Sequence, residues 1–214
     1  MLRPDKFPLA AAGWPYLLGG AFLAAVATAL EVWWLAVPLW LLTAFIAYFF
    51  RDPPRSSTAP ENRVLSPADG TVVAVEEVDE PDLPEGRAQL VSVFMDLFSV
   101  HVNRAPVGGR VVAIRYQPGG FVNAARPQAR LENERMSVII ERPDGVRVKV
   151  VQVAGLIARR IHCDLVPGDT VQRGARYGMI KFGSRLDVYL PLQARVLVGR
   201  GRRVRAGVSE IAEL

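Results

Sequence analysis

"SPADGTVVAV" at residues 66–75 and "APVGGRVVAI" at residues 105–114 follow one plan. Each has a proline, then a glycine-containing turn, then a Val-rich alternating run. Proline and glycine in that order mark a tight turn, and the branched alternation that follows reads as a half-buried strand. The pair is an internal echo. A third turn, in "VPGDTVQRGARYGMI" (166–180), supplies Pro167, Gly168, Asp169 and Gly174 ahead of another short strand. Further strands are expected at "AQLVSVFM" (88–95), "RMSVIIE" (135–141), "VRVKVVQVAG" (146–155) and "RLDVYLP" (185–191). Short strands at this spacing argue for a mainly β barrel or sandwich rather than an α/β fold. Helix is scarce after residue 50, with a loop and one turn expected at 120–132.

Upstream the chain changes character. Residues 7–50 hold one carboxylate, Glu31, and no Lys or Arg. Glu31 divides them into apolar segments at 10–30 and 32–50, each long enough to cross a hydrocarbon core about 30 Å thick. A signal peptide would be shorter and would leave the second segment unexplained. Gly19 and Gly20 offer a small-residue packing face. Trp14, Tyr16, Trp33, Trp34 and Tyr48 stand mostly toward segment ends, as interfacial anchors do. A transmembrane helical hairpin is expected. Pro15 and Pro38 keep a shallow re-entrant pair as the alternative. Arg3 and Lys6 precede the segments, Arg51 and Arg55 follow them, and the turn between has no basic residue. The positive-inside rule then puts both ends, and the domain that follows, on the cytoplasmic side of the cell membrane. The expected organisation is an anchor at 1–50, a polar linker "RDPPRSSTAPENR" at 51–63 and a β domain at 64–214.

The net charge of +5 lies wholly after residue 50 and is almost all arginine. Without aromatic interleaving or a recognisable module it does not read as nucleic-acid binding. Anionic lipid headgroups are the natural partner beside a membrane anchor. The "GRRVRAG" run, with Arg202, Arg203 and Arg205, either holds such lipid or is a solvated tail. The single cysteine, Cys163, excludes an internal disulfide and a thiolate metal cluster. It reads as a buried small hydrophobe in a strand-like stretch. With only His101 and His162, no metal site is expected.

"YGMIKFGSRLDVYLP" (177–191) reads as strand interrupted by Gly183-Ser184. Glycine inside a strand marks a bend, a bulge or a close backbone approach. The serine is a nucleophile if a base lies near. An ordinary turn is the plain alternative. His101, in "FSVHVNRAPVGG", falls near a strand end just before the 105–109 turn, where side chains aim at a shared rim. Asp69, in "SPADG", is a turn former in its own right. If the echoed turns are quasi-equivalent, Asp69 and the segment after His101 lie at related ends of the barrel. A carboxylate could then orient a histidine that serves Ser184.

Two resemblances bear on this. The echoed turns resemble the half-motifs of the biotinyl/lipoyl-carrier fold, itself built from quasi-symmetric halves. A carrier needs a lysine at a hairpin tip, and Lys149 and Lys181 are the only lysines after the apolar segments. The architecture is therefore borrowed and the carrier function rejected. More specifically, "FFRDPPR" (49–55), "LSPADGTV" (65–72), "SVHVNRAP" (99–106), "IARRI" (157–161) and "PGDTVQRGARYGMIKFGSRLDVYLP" (167–191), with the paired apolar segments, resemble the short, pyruvoyl-dependent phosphatidylserine decarboxylases.

The resemblance implies a proenzyme that cuts itself between Gly183 and Ser184. Asp69 would orient His101, and His101 would deprotonate Ser184, whose hydroxyl attacks the Gly183 carbonyl. The products are a large chain, 1–183, and a small chain, 184–214, headed by a pyruvoyl group made from Ser184. That group would form a Schiff base with the serine headgroup of an anionic aminophospholipid and replace pyridoxal phosphate. Loss of carbon dioxide would leave the ethanolamine headgroup, with His101 as proton donor. "FGSR" stands where longer relatives carry Leu-Gly-Ser-Thr. Phe98 stands where they carry a second histidine linked to decarboxylation, so either His101 does both jobs or another group donates the proton, and Phe98 is expected to line the headgroup pocket. Asn103, Arg104 and Arg185 are expected near the substrate phosphate or carboxylate. The blocks do not separate phosphatidylserine from archaetidylserine, whose reacting atoms are the same, and they are compatible with a homo-oligomer. Rival readings are a membrane-anchored lipoyl-like interaction domain and a serine hydrolase, which lacks the Gly-x-Ser-x-Gly elbow.

Overall fold

The computed structural model describes residues 8–155, 161–181 and 183–214. The flank Arg3 and Lys6, residues 157–160 of the "IARRI" block, and Phe182 lie outside the described residues. The chain divides into two compact units, an apolar helical one ending at Pro54 and a β-rich one from Arg55 to Leu214.

The helical unit contains α1 (Trp14–Ala29) and α2 (Trp33–Phe49), joined by a turn in which Glu31 takes a positive φ of 58°. The helices pack against each other. Trp40 Nε1 donates to Thr28 Oγ1 at 3.2 Å, and a Cβ on Gly20 would sit 2.9 Å from Thr43 Oγ1. Gly20 therefore serves the contact and Gly19, with nothing within 4 Å, does not. The outer surface is apolar. Phe22, Leu30, Trp34 and Leu41 are each about two-thirds exposed or more. Among the described residues one helical stretch, Ala11–Ala29, is long and apolar enough to cross a membrane. The second is shorter than the sequence suggests. It has 17 residues with Pro38 inside, about 25 Å of helix against a core of about 30 Å, because the chain leaves helical geometry at Val32 and Phe50.

The β unit is mainly β, as expected. In chain order its elements are β1 (Arg63–Leu65), β2 (Gly70–Asp79), β3 (Arg87–Met95), β4 (Val102–Arg104), β5 (Gly109–Gln117), the one-turn helix α3 (Ala129–Glu132), β6 (Arg135–Glu141), β7 (Arg147–Val153), β8 (Ile161–Cys163), β9 (Thr170–Val171), β10 (Arg176–Ile180), β11 (Ser184–Leu190), β12 (Arg195–Val196), β13 (Arg203–Val204) and β14 (Glu210–Glu213). An eight-stranded antiparallel sheet in the order β13-β2-β3-β11-β7-β6-β5-β9 curls into a half barrel. Two three-stranded sheets, β1-β14-β12 and β4-β10-β8, complete the unit. The main core gathers alternate residues from many strands, among them Val72, Val91, Val93, Val138, Val150, Leu186 and Val188.

The sequence echo is a structural one. Gly70 and Gly109 open β2 and β5 with φ of 156° and 157°. A Cβ on Gly70 would lie 2.0 Å from Phe94 O, and one on Gly109 would lie 2.2 Å from Glu141 O. Each strand then bulges at the same place, between Val72 and Ala74 and between Val111 and Ala113. A second echo, not evident from the sequence, completes the first. Gly168–Gly174 corresponds to Gly201–Gly207. Gly168 N–H donates to Val111 O and Gly201 N–H to Val72 O, both at 2.8 Å. Gly174 N–H donates to Ala105 O and Gly207 N–H to Ser66 O, again at 2.8 Å. The halves also clasp each other, through Leu65 N–H to Pro106 O and Arg104 N–H to Pro67 O, each 2.9 Å. The "GRRVRAG" run is thus not a tail. Val204 and Ala206 are buried, and β13 pairs with β2.

The echo yields a prediction. Gly70→Ala and Gly109→Ala each drive a Cβ into a partner-strand carbonyl, and each should cost about 3 kcal/mol of stability or more. Gly145→Ala, also at positive φ (82°) but in open space, should cost only about 1 kcal/mol. Thermal unfolding of the three variants in detergent checks the order.

Candidate active site

Gly183 and Ser184 do not interrupt a single strand. Strand β10, which ends at Ile180, belongs to the β4-β10-β8 sheet, and β11, which begins at Ser184, belongs to the eight-stranded one. Gly183 makes the corner with φ of 62°, a conformation that costs glycine little. Ser184 then begins β11 opposite Met95, the last residue of β3. Its side chain is fully buried, and its hydroxyl rests against Met95 Sδ at 3.5 Å, a weak acceptor. Residues Ser184, Leu186, Val188 and Leu190 face the main core, while Arg185, Asp187 and Tyr189 face the other side.

Asp69, Met95 and Ser184 stand at one end of the neighbouring strands β2, β3 and β11. Thr71 pairs with Phe94, and Ser184 pairs with Met95. His101 reaches the same end by another route. It directly precedes β4, whose Val102 lies opposite Met179 of β10, a few residues before Ser184. Arg104 N–H to Pro67 O ties β4 to the Asp69 loop. His101 is 0% exposed, so whatever it serves is inside the protein.

Asp69 is held by a residue that the sequence alone does not single out. Arg55 meets its carboxylate with both terminal nitrogens, the longer contact being 2.8 Å, and also donates to Ala206 O at 2.9 Å. The Ala206 N–H donates to Asp69 Oδ1 at 2.8 Å. A fork-to-fork pair of this kind fixes direction as well as charge. Arg55 stands at the end of "FFRDPPR", and only its position in that block marks it out.

Behind Ser184 lies a buried amide chain. Gln152 Nε2 donates to Asn103 Oδ1 at 2.8 Å, and Asn103 Nδ2 approaches Met95 Sδ at 3.8 Å. Gln152 is also missed by motif reading. Its signal is a polar side chain on the buried face of β7, in phase with Val148 and Val150. The residues expected near substrate divide. Phe98 is 64% exposed, in a turn where Asp96 Oδ1 accepts from Phe98 N–H and Ser99 Oγ. Arg104 and Arg185 are buried, and both bind backbone carbonyls inside the β unit. Arg104 donates to Gly174 O at 3.0 Å. Arg185 donates to Ala124 O and Arg126 O, each 3.1 Å, and pairs with fully buried Asp187 at 2.9 Å. Those bonds offset part of the desolvation that a buried pair incurs.

Other titratable groups have surroundings of their own. Burial pushes the Tyr177 phenol well up, so it stays neutral. Burial likewise raises the Cys163 thiol. His162 pairs with Asp164 at 2.9 Å on an exposed strand. Lys149 lies within β7 and binds Glu80 and Asp82, at 2.7 and 2.8 Å.

A family model described as phosphatidylserine decarboxylase matches residues 42–212, most of the chain and all of this site. The chain belongs to the phosphatidylserine decarboxylase family. Among its relatives, the phosphatidylserine decarboxylase proenzyme of Ralstonia nicotianae is 53% identical over 208 residues, covering 96% of this chain and 95% of that protein. Proteins of the same name from Cupriavidus pinatubonensis and Nitrosomonas europaea are 50% and 47% identical. Both cover 96% of this chain and about as much of their own length, 95% and 94%.

For this decarboxylase, Arg55→Ala should lower stability by about 2 kcal/mol, the scale of a charged hydrogen bond. Arg55→Lys keeps the charge but not the fork, and should recover about half of the loss. A double-mutant cycle with Asp69→Asn checks the pairing, and losses that simply add would argue against it.

Proposed function

We propose that this chain decarboxylates phosphatidylserine to phosphatidylethanolamine and carbon dioxide, using a pyruvoyl group that it makes from Ser184 by cutting itself between Gly183 and Ser184. The reading is carried by one observation above all: a fully buried serine hydroxyl resting against a thioether, directly behind a positive-φ glycine. A buried hydroxyl of this kind is suited to a target in its own chain. The word proenzyme in the relatives' names supports it.

On this reading His101 takes the Ser184 proton, and Asp69, aligned by Arg55, orients and polarises His101. The hydroxyl oxygen adds to the Gly183 carbonyl carbon. The carbon–nitrogen bond breaks, and the proton passes to the departing amine. Tethering removes much of the entropic barrier. Loss of the Ser184 α-proton with cleavage of its Cβ–O bond releases 1–183 with a carboxylate end, and the dehydroalanine left at residue 184 takes up one water and gives off ammonia, which leaves 184–214 with its new head. The residues present fit that group. Gly183 has open space on its Cβ side, and β11 stays paired on both edges when the bond before it is cut. Once formed, the ketone supplies the electron sink for loss of carbon dioxide from the serine headgroup. His101 is the chain's proton donor there. Phe98 lines the approach of the headgroup. Asn103 holds the wall behind Ser184, while Arg104 and Arg185, expected near substrate from the sequence, brace the surrounding loops and the far face of β11 instead.

The apolar helix pair is read as the membrane anchor, a hairpin with its basic flanks and the β unit on the cytoplasmic side. Its outward apolar surface is too large for a helix pair kept in water. The paired halves of the β unit are read as lipoyl-like half-motifs.

Mass spectrometry with an activity assay on one purified sample tests the proposal. Two chains are expected, 1–183 and a 31-residue fragment whose blocked end resists Edman sequencing and is modified by borohydride with loss of activity. Ser184→Ala should give one inactive chain. His101→Ala should slow cleavage more than Asp69→Asn. A single full-length chain with normal decarboxylation would overturn the pyruvoyl assignment.

A further inference from the structure

Strand β7 ends at Val153, opposite Arg185, and Gln152 lies opposite Leu186. Continuing that antiparallel register by two residues sets Gly155 against Gly183. The ladder does not continue regularly, because Gly183 turns with φ of 62°. Its carbonyl is directed at Gly155 instead. A Cβ built on Gly155 would lie 1.6 Å from the Gly183 oxygen and 2.8 Å from its carbonyl carbon. Carbon and carbonyl oxygen in favourable contact stand about 3.3–3.6 Å apart. No side chain at 155 coexists with the Gly183 carbonyl where it is.

Gly155 has little room to retreat. Ala154, just before it, is fixed on both sides of its peptide. Its N–H donates to Glu134 O at 2.9 Å, and its carbonyl accepts from Asn133 Nδ2 at 2.7 Å. Asn133 is fully buried and also staples Val122, accepting from its N–H at 2.9 Å and donating to its carbonyl at 2.7 Å.

We infer that Gly155 is a positioning residue for self-cleavage: its bare Cα is the floor on which the scissile Gly183 carbonyl rests, and it holds that carbonyl turned out of the ladder toward attack by Ser184. The inference rests on the proposed cut between Gly183 and Ser184. A side chain at 155 displaces the carbonyl by about 1.7–2 Å, judged from normal contact distances. A misplacement of about 1 Å at a reacting centre can cost about 100-fold in rate.

The test follows splitting of the full-length chain, made in the presence of lipid vesicles, by gel and mass spectrometry. Gly155→Ala should split about 100-fold more slowly than wild type or worse. The same substitution is also made in the Ser184→Ala background, where neither protein is expected to split. There it should melt within a few degrees of Ser184→Ala alone. Hydroxylamine at neutral pH opens an ester but not an amide. It should hasten scission of wild type and leave Gly155→Ala whole, because the ester never forms. Splitting of Gly155→Ala at the wild-type rate overturns the inference. So does collapse of the fold in the Ser184→Ala background, or ready scission of Gly155→Ala by hydroxylamine. A wild-type chain that stays whole and active instead overturns the cleavage reading, and this inference with it.

Discussion

Two carbonyls, those of Phe94 and Glu141, occupy the places where side chains on residues 70 and 109 would be. Much of the β unit depends on that intimacy. It lets β2 and β5 start hard against their partner strands, bulge after two residues, and turn the preceding loops back over the sheet. Those loops clasp each other through residues 65–67 and 104–106. One of them carries Asp69, and the other follows His101. The two residues are therefore placed by a single repeated contact, used once in each half.

Within this symmetric frame the chemistry is asymmetric. Position 69 is aspartate, and its counterpart 108 is glycine. The aspartate brings a charge into a half-closed site, and Arg55, from the segment entering the β unit, meets it. A similar arrangement holds the other side of the nucleophile, where Arg185 and Asp187 pair on the face of β11 opposite Ser184. Both pairs fix direction at the cost of desolvation. Ser184 itself meets softer surroundings among the described residues, a thioether that is only a weak acceptor and, behind it, an amide chain.

The long strands are legible in the sequence because alternation over seven or more residues has a period to detect. Strands β1, β9, β12 and β13, of two or three residues, have none. The second echo is hidden for a related reason. Between Gly168–Gly174 and Gly201–Gly207 only two glycines and a valine are kept, and only the matching hydrogen bonds reveal the kinship. Ser184, His101 and Asp69 stand out as residue types in a recognisable order. Arg55 does not, because its partner lies fourteen residues away across an irregular segment. The break at Gly183 is visible as a glycine in an apolar run, but the change of sheet is not, since apolar alternation continues on both sides. The second apolar segment is long as a run of letters and short as a helix, because composition does not show where the backbone turns.

Strand β11 lies between β3 and β7, hydrogen-bonded on both edges and buried on both faces. If the bond before it is cut, the 31 residues that follow remain interleaved in the middle of a sheet, with β13 at the sheet's far edge and β12 and β14 alongside β1. The two pieces would then share one core without sharing a backbone. Such a state is easy to reach from a continuous chain, which brings the central strand in as part of itself. It is hard to reach from separated pieces, which must find each other and insert a strand between two neighbours. The working form would be an heirloom of its precursor's folding, assembled once and not recoverable after denaturation.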